Sequence, residues 1–347
     1  MKRPVAWVQP GPVDTRTGGF IYNRRIMATM RLPVTVVELA TSFPAPSQGD
    51  RRHAADLLSR QPNGTITVVD GLALGVLADE AAREAQRLRF VGLVHHPLAL
   101  ETGLTDDRRR DLIASETRAL NSVHHVITTS QTTAHGLADY SVPSAKIDVV
   151  EPGTDSAPLA VPAKDGPCRL LSVATLTPRK GHAVLVHALS QLTDLDWTLD
   201  CWGSLERDPG YADEVRRSIK EDGLESRIAL HGECDEAELA AAYANADTLV
   251  MPSFHEGYGM AVAEALARGL PIVASSAGAL VDTVPADAGL LVPPGDAGAL
   301  AAALRKVIAD SSIRRRLAAG AAIARQSLPT WDEQGKRFEA ILEKVGR

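Results

Sequence analysis

What this 347-residue chain lacks narrows it first. It has three cysteines, Cys168, Cys201 and Cys234. The count is odd and no C-x-x-C pair occurs, so neither a disulfide framework nor a thiolate zinc site is expected. Each cysteine lies in or beside a predicted strand. Buried free thiols fit that placement, and they point to a reducing, cytoplasmic compartment. No apolar run approaches the roughly 20 residues of a membrane span; the stretch from Gly71 to Ala78 is too short. The opening apolar stretch runs into Pro10-Gly11, too soon for a signal-peptide core, and reads as a strand and a loop.

A basic excess is missing too. The net charge is −6 and the pI about 5.9, so no nucleic-acid partner is expected. The local basic spots, Arg24-Arg25, Arg108 to Arg110 and Arg314 to Arg316, read most simply as solvated faces; a patch touching anionic lipid is the other reading. Three fingerprints do not occur: the G-x-G-x-x-G of nicotinamide-binding domains, the Walker A lysine motif and the G-x-S-x-G elbow. One D-x-D, Asp194-Leu195-Asp196, stands just before a strand and reads as a turn, so no metal site is indicated.

What is present is a soluble, globular composition, 45% hydrophobic and 23% charged, of a length that suggests two domains. Apolar runs alternate with helical patterns. In the first half the predicted strands are Val5 to Val8, Val34 to Leu39, Thr65 to Val69, Arg89 to Val94, His125 to Thr128 and Ile147 to Val150. Most are near-continuous apolar runs, as expected of a parallel sheet covered on both faces. Asp106 to Ser122 reads as a helix, with acidic residues leading and Leu112, Ile113, Ala119 and Leu120 at helical spacing. The stretch from Glu151 to Pro167 holds four prolines and reads as a linker. Beyond it the predicted strands are Arg169 to Ala174, Trp197 to Trp202, Ile228 to His231, Thr248 to Pro252, Pro271 to Ala274 and Gly289 to Val292. The helices between them are His182 to Ser190, Tyr211 to Glu221, Glu236 to Ala244, Met260 to Arg268 and Ala297 to Asp310. The fold class is therefore α/β, two Rossmann-like parallel-sheet domains facing across a cleft. The predicted boundaries are 1–155, a linker 156–167, a second domain 168–328, and a terminal amphipathic helix 329–347. Ligands of open α/β sheets bind at the carboxyl ends of strands, which makes the interdomain cleft the default site.

Four segments carry candidate chemistry. In Ser253 to Ser275, a strand ends in a loop bearing Glu256, a helix starts near Gly259, and Glu264 lies in its first turns. Gly257-Tyr258-Gly259 lets the backbone approach a ligand, and the helix amides that follow, from Met260, attract phosphate. Carboxylates beside an anion site suit sugar hydroxyls rather than phosphate, which suggests a sugar on each side of a diphosphate. The plainer alternative is a Gly-rich turn with two solvated glutamates. In Ser172 to Leu189, Arg179 and Lys180 precede Gly181 at a helix mouth. They form an anion clamp, or else two solvated charges. Gly18-Gly19 follow the first strand and would admit a phosphate or sugar to the backbone. His95, with His96 beside it, ends a strand, where it is placed for cleft chemistry or is a hydrogen-bonded structural residue.

Taken in order, these segments resemble the retaining nucleotide-sugar glycosyltransferases of the GT-B fold, family 4 (glycosyl transferases group 1). The likeness rests on the E-x7-E element from Glu256 to Glu264 within Pro252 to Ser275. Arg179-Lys180-Gly181, the exit Pro152-Gly153-Thr154-Asp155, the approach from Glu236 to Ser253 and the Trp331 helix, which in the family returns to the first domain, support it. The family's Gly-Arg pair is here Ala174-Thr175, so one phosphate cation is missing and Arg179 stands in for it. The resemblance implies that Glu264 binds the donor ribose and that Glu256 with Gly257, Tyr258, Gly259 and Met260 holds the donor sugar. It also implies that Arg179 and Lys180 hold the diphosphate, that Gly18 and Gly19 serve the acceptor side, and that His95 sits beside the reacting sugar. It further implies transfer with retention, without a cofactor or obligatory metal, from a nucleotide-diphosphate sugar, most commonly a UDP-sugar, to a hydroxyl acceptor. That acceptor is a small molecule, a glycan or a lipid-linked group; the last would bring peripheral contact with the inner membrane face, through Arg108 to Arg110 with Leu112-Ile113. Two other classes share the segments: a nucleotide-sugar epimerase or hydrolase, and a silent sugar-nucleotide binding protein.

Overall fold

The computed structural model describes residues 4–161 and 166–346. Residues 162–165 of the predicted linker, Pro162 among them, lie outside the described residues, as do the first three positions of the opening stretch and the last residue of the terminal helix. The chain forms two compact units, 1–153 with 329–347, and 154–328.

The first unit is built on six parallel strands: β1 (Val5–Pro10), β2 (Val34–Leu39), β3 (Ile66–Asp70), β4 (Arg89–Val94), β5 (His125–Thr128) and β6 (Ile147–Val149). Their order is β2-β1-β3-β4-β5-β6, with Val5 opposite Val34 and Val91 opposite His125. All six residues of β1 are buried, as a central strand between two helical layers requires, whereas edge strand β2 exposes Thr35 and Glu38. Strand order reverses between β1 and β3, so the connections leaving them diverge at their carboxyl ends.

The terminal helix Trp331–Val345 belongs to this unit. A capping box of Thr330 and Glu333 starts it, and its apolar face covers β1 and the helix Gly18–Thr29. Phe338 is fully buried and stacks on Trp7 with ring centroids 5.4 Å apart. Burying an aromatic side chain of this kind contributes about 1.5–3 kcal/mol. Gly335 is required there: a Cβ would stand 2.0 Å from Thr29 Oγ1.

The second unit holds β7 (Cys168–Val173), β8 (Trp197–Trp202), β9 (Ile228–Gly232), β10 (Thr248–Met251), β11 (Ile272–Ser275) and β12 (Gly289–Val292). Their order is β12-β11-β10-β7-β8-β9, all parallel. This is the doubly wound order, and it reverses between β7 and β10, which pair through Leu170–Thr248 and Leu171–Leu249. The loops after those two strands carry Arg179-Lys180 and Ser253 to Gly259, so the topology places the two strongest sequence segments side by side.

Some expectations change. The helix Ser311–Ala324 and the capped helix Gln48–Ser59 are additional to those singled out in the sequence. The described part of the linker lies against the second unit: Ala160 N donates to Arg268 O at 2.8 Å and Arg325 donates to Ala157 O at 2.6 Å. The basic spots divide: Arg108, Arg110, Arg315 and Arg316 are exposed, as solvated faces are, while one member of each spot is tied to main chain. Arg24 donates to Val13 O, Arg314 to the closing carbonyls Val307 and Ile308 of the preceding helix, and Arg109 to Ala99 O. Arg110 pairs with Asp107 and Leu112 is buried, which leaves Ile113 as the exposed apolar member of that face. Asp194 pairs with Arg305 at 2.6 and 2.9 Å. Cys168 and Cys201 are buried, and burial pushes their thiols up to about 11 and about 12, so they stay protonated. Cys234 departs from the expectation: it lies half-buried in the turn after β9. Among the described residues, no helix is long and apolar enough to cross a membrane.

Candidate functional site

In the second unit the site is assembled from two loops. After β7 the chain makes a short 3-10 turn, Pro178–Lys180, and passes through Gly181 at φ 72° into the helix His182–Ser190. A Cβ on Gly181 would lie 2.2 Å from Pro252 O, so only glycine lets this loop meet the loop after β10. The two are joined by Phe254 N donating to Arg179 O at 2.7 Å and by Arg179 Nη1 donating to His255 O at 2.7 Å.

The junction centres on Glu256, which is 6% exposed. Its Oε1 accepts from Lys180 Nζ at 2.6 Å and from Ser253 Oγ at 2.6 Å, while Arg179 Nη1 stands 3.8 Å from Oε2. Burial alone would push this carboxyl up. The charges of Lys180 and Arg179, with the bonds from Lys180 and Ser253, outweigh burial and hold it at about 2. Glu256 is therefore a carboxylate at every physiological pH. Its main chain is fixed as well: Ala279 N donates to Glu256 O at 2.9 Å, and Gly278 lies so close that a Cβ would stand 2.2 Å from that oxygen.

Beyond Gly257 and the buried Tyr258, Gly259 adopts φ 94°, and the helix Met260–Ala267 begins with no side-chain cap. Val262 N donates back to Gly259 O at 2.9 Å, and the amides of Met260 and Ala261, which precede the first bond of the helix, are the ones an anion can meet. The helix beginning at His182 differs, because Ala183 N donates to Tyr211 Oη at 3.0 Å. Glu264 lies on the Met260–Ala267 helix, half-buried, and accepts from Tyr243 Oη at 2.8 Å. The structure thus brings Arg179, Lys180, Glu256 and Gly257 to Met260 into one neighbourhood. It also adds to one expectation: both cations of the expected diphosphate clamp here face Glu256, the carboxylate expected to hold the donor sugar.

The first unit gathers its own polar group at the carboxyl ends of β1, β3 and β4. His95 Nε2 lies 3.2 Å from Asn23 Oδ1 and 3.6 Å from Asp70 Oδ2, and Asn23 Nδ2 donates to Asp70 Oδ2 at 2.8 Å. Asn23 and Asp70 are 0% and 1% exposed. Burial pushes the Asp70 carboxyl up, but the hydrogen bond and charge of His95, with bonds from the Asn23 amide and Leu72 N, hold it below the ordinary value. Tyr22 packs edge-on against the imidazole at 5.2 Å. His96 Nε2 lies 3.6 Å from Glu101 Oε2.

Gly18 and Gly19 need correction. They do not form a loop: they are the first two residues of the helix Gly18–Thr29, opened by Thr17. Helical geometry starts here because Tyr22, Asn23 and Ile26 present one buried face to the unit. Gly19 serves His95, since a Cβ would approach within 3.2 Å of the imidazole Cδ2. Asp70, Asn23, Ser253 and Tyr243 did not stand out in the sequence. For Asp70 the signal was present: an acidic residue closes the apolar run of β3 just before Gly71.

A doubly wound unit with an uncapped helix, two cations and a buried carboxylate at its switch point is an α/β domain built to receive an anionic ligand, and its relatives give the family. Residues 159–323 match the family model described as "Glycosyl transferases group 1", and residues 25–157 match "Glycosyltransferase Family 4". The chain belongs to this family of glycosyltransferases and has the GT-B fold. Among its relatives is an MMP alpha-(1->4)-mannosyltransferase of Mycolicibacterium hassiacum, 28% identical over 91% of this chain and 80% of that protein. Among solved structures, sucrose-phosphate synthase from Thermosynechococcus elongatus superposes with a TM-score of 0.82, at 22% identity over 99% of both chains. HepE of Anabaena, in complex with UDP and glucose, gives 0.77 at 18% identity over 98% of this chain and 99% of that one.

Proposed function

We propose that this glycosyltransferase moves a sugar from a nucleotide-diphosphate sugar, a UDP-sugar first among the candidates, to a hydroxyl acceptor with retention at the anomeric carbon. The observation that carries the reading is the Lys180–Glu256–Arg179 cluster beside the uncapped helix at Met260. The C1–O bond to the diphosphate breaks and a C1–O bond to the acceptor forms. The acceptor proton passes to the departing phosphate oxygen, so no carboxylate base is required. As that bond breaks, negative charge grows on the leaving group, and Lys180, Arg179 and the amides of Met260 and Ala261 stabilise it in this reading. These side-chain cations supply what a metal supplies elsewhere, which supports a metal-independent reaction. Glu256, held ionised, accepts hydrogen bonds from donor-sugar hydroxyls, and Glu264 from the ribose. The bound UDP and glucose of the HepE structure support the UDP-sugar reading.

The test is a thermal-shift titration with UDP, GDP and ADP in the presence of EDTA. A ligand of the native state stabilises by about 2.7 kcal/mol at a hundred times its Kd. One nucleotide is expected to raise the melting temperature, and Lys180→Ala to abolish the shift. No shift with any nucleotide would overturn the donor reading. Incubation of the matching sugar nucleotide without acceptor separates transfer from hydrolysis or epimerisation, which release free or isomerised sugar. The anomeric proton coupling of the transferred product reads retention directly.

The polar group of the first unit is assigned to the reacting sugar through His95. Asp70 and Asn23 fix its ring, and small misplacements of reacting groups cost up to about a hundredfold in rate. Asp70→Asn keeps the shape and removes the charge. It is expected to lower kcat by about tenfold or more while nucleotide affinity, a property of the second unit, stays unchanged. Unchanged kcat in a folded variant would release His95 from this role.

A further inference from the structure

Tyr243 is fully buried on the helix Glu236–Asn245, which leads into β10 and the Glu256 loop. Its hydroxyl points to the neighbouring helix, Met260–Ala267, donating to Glu264 Oε2 at 2.8 Å, with Ala261 O 3.3 Å away. The Arg268 guanidinium lies over the Tyr243 ring, 4.6 Å from its centroid, and donates to Glu264 O at 2.9 Å. Glu264 is thus tied at its carboxylate by a buried phenol and at its main chain by a cation that itself rests on that phenol. A half-buried glutamate on a helix has three side-chain torsions; a rigid donor from a second helix removes most of that freedom before any ligand arrives. Burial and the Glu264 carboxylate raise the phenol well above its ordinary pKa, so the proton that makes the bond stays on the oxygen.

We propose that Tyr243 is a positioning residue for nucleotide binding: it holds the Glu264 carboxylate in the orientation that receives the ribose hydroxyls, with Arg268 bracing the pair. This rests on the assignment of Glu264 to the ribose. A tyrosine that only filled the core would be replaced by phenylalanine without effect on the ligand.

The experiment measures the Kd of the nucleotide diphosphate by calorimetry, with donor KM and kcat, for wild type, Tyr243→Phe, Glu264→Ala and the double variant. Tyr243→Phe is expected to raise Kd and donor KM by about tenfold, the scale of a hydrogen bond to a charged group, with kcat little changed. In the Glu264→Ala background the same replacement is expected to add nothing, since its target is gone. Wild-type Kd in Tyr243→Phe, alongside weakened binding in Glu264→Ala, would overturn the positioning role and leave the ribose assignment standing. Wild-type Kd in Glu264→Ala would overturn both. Should Tyr243→Phe fail to fold, Glu264→Asp replaces it: the charge remains but is drawn back from Tyr243 by one methylene, and an undiminished affinity would overturn the proposal.

Discussion

Lys180→Ala is expected to lower kcat by about 10²–10³ and to destabilise the folded chain by about 3–5 kcal/mol, a pairing of effects that a surface lysine would not show. The catalytic loss follows from removing a cation from the leaving diphosphate. The stability loss follows from Glu256. Its carboxylate is 6% exposed and keeps its charge because Lys180 is 2.6 Å away. Arg179, at 3.8 Å, remains but makes no hydrogen bond of comparable length to it. Without the ammonium, the carboxyl either stays ionised and poorly paired or takes up a proton, and both cost free energy. Lys180→Arg restores the charge and is expected to recover most of the stability. It recovers less of the rate, because a planar guanidinium cannot occupy the position of an ammonium. A Lys180→Ala protein of wild-type stability would show that Arg179 and Ser253 suffice to hold Glu256.

This coupling marks what was and was not legible in the sequence. The strands were legible because continuous apolar runs punctuated by Gly and Pro have few other readings: β2, β4, β5, β8 and β12 begin and end at the predicted residues. The doubly wound pattern followed from the alternation, and Glu256, Arg179 and Lys180 followed from their places at strand ends. Strand order did not follow, because it depends on which strands pair; yet that order, with β7 beside β10, is what joins the two loops. Pairing among side chains was equally hidden. Arg179 and Lys180 read as cations for a ligand, and nothing in a linear text says that a glutamate 76 residues on takes them first. Asn23 and Asp70 stand 47 residues apart on a helix and a strand end, each unremarked alone. The helix that begins at Gly18-Gly19 was hidden too: glycine is a poor helix former, and only the structure shows that Gly19 lets the imidazole of His95 lie against the first turn.

Glu256→Gln is expected to abolish most turnover, by about a hundredfold or more in kcat, yet to cost less stability than Lys180→Ala. The two replacements leave different charges behind. Lys180→Ala strands a carboxylate in the interior, whereas Glu256→Gln removes the shared anion of two cations whose side chains are 17% and 15% exposed, and Arg179 keeps its bond to His255 O. The amide keeps an oxygen for Ser253, so the loop retains that bond. The pH dependence separates the cases. Glu256 titrates at about 2 in the folded protein against an ordinary 4.5. The unfolded chain therefore binds its proton first as pH falls, and the stability that this carboxylate contributes is fully present above 4.5 and lost as pH drops toward 2. At 1.36 kcal/mol for each pKa unit, that contribution is about 3 kcal/mol. Acid unfolding followed between pH 5 and 2 is expected to show a shallower loss in Glu256→Gln than in wild type. In Lys180→Ala the carboxyl is expected to rise toward or above 4.5, which removes the same acid-dependent slope and adds a loss of stability on the alkaline side of 4.5. Parallel pH profiles for all three proteins would mean that Glu256 and Lys180 are not linked in solution, and that the lysine is held for the ligand alone.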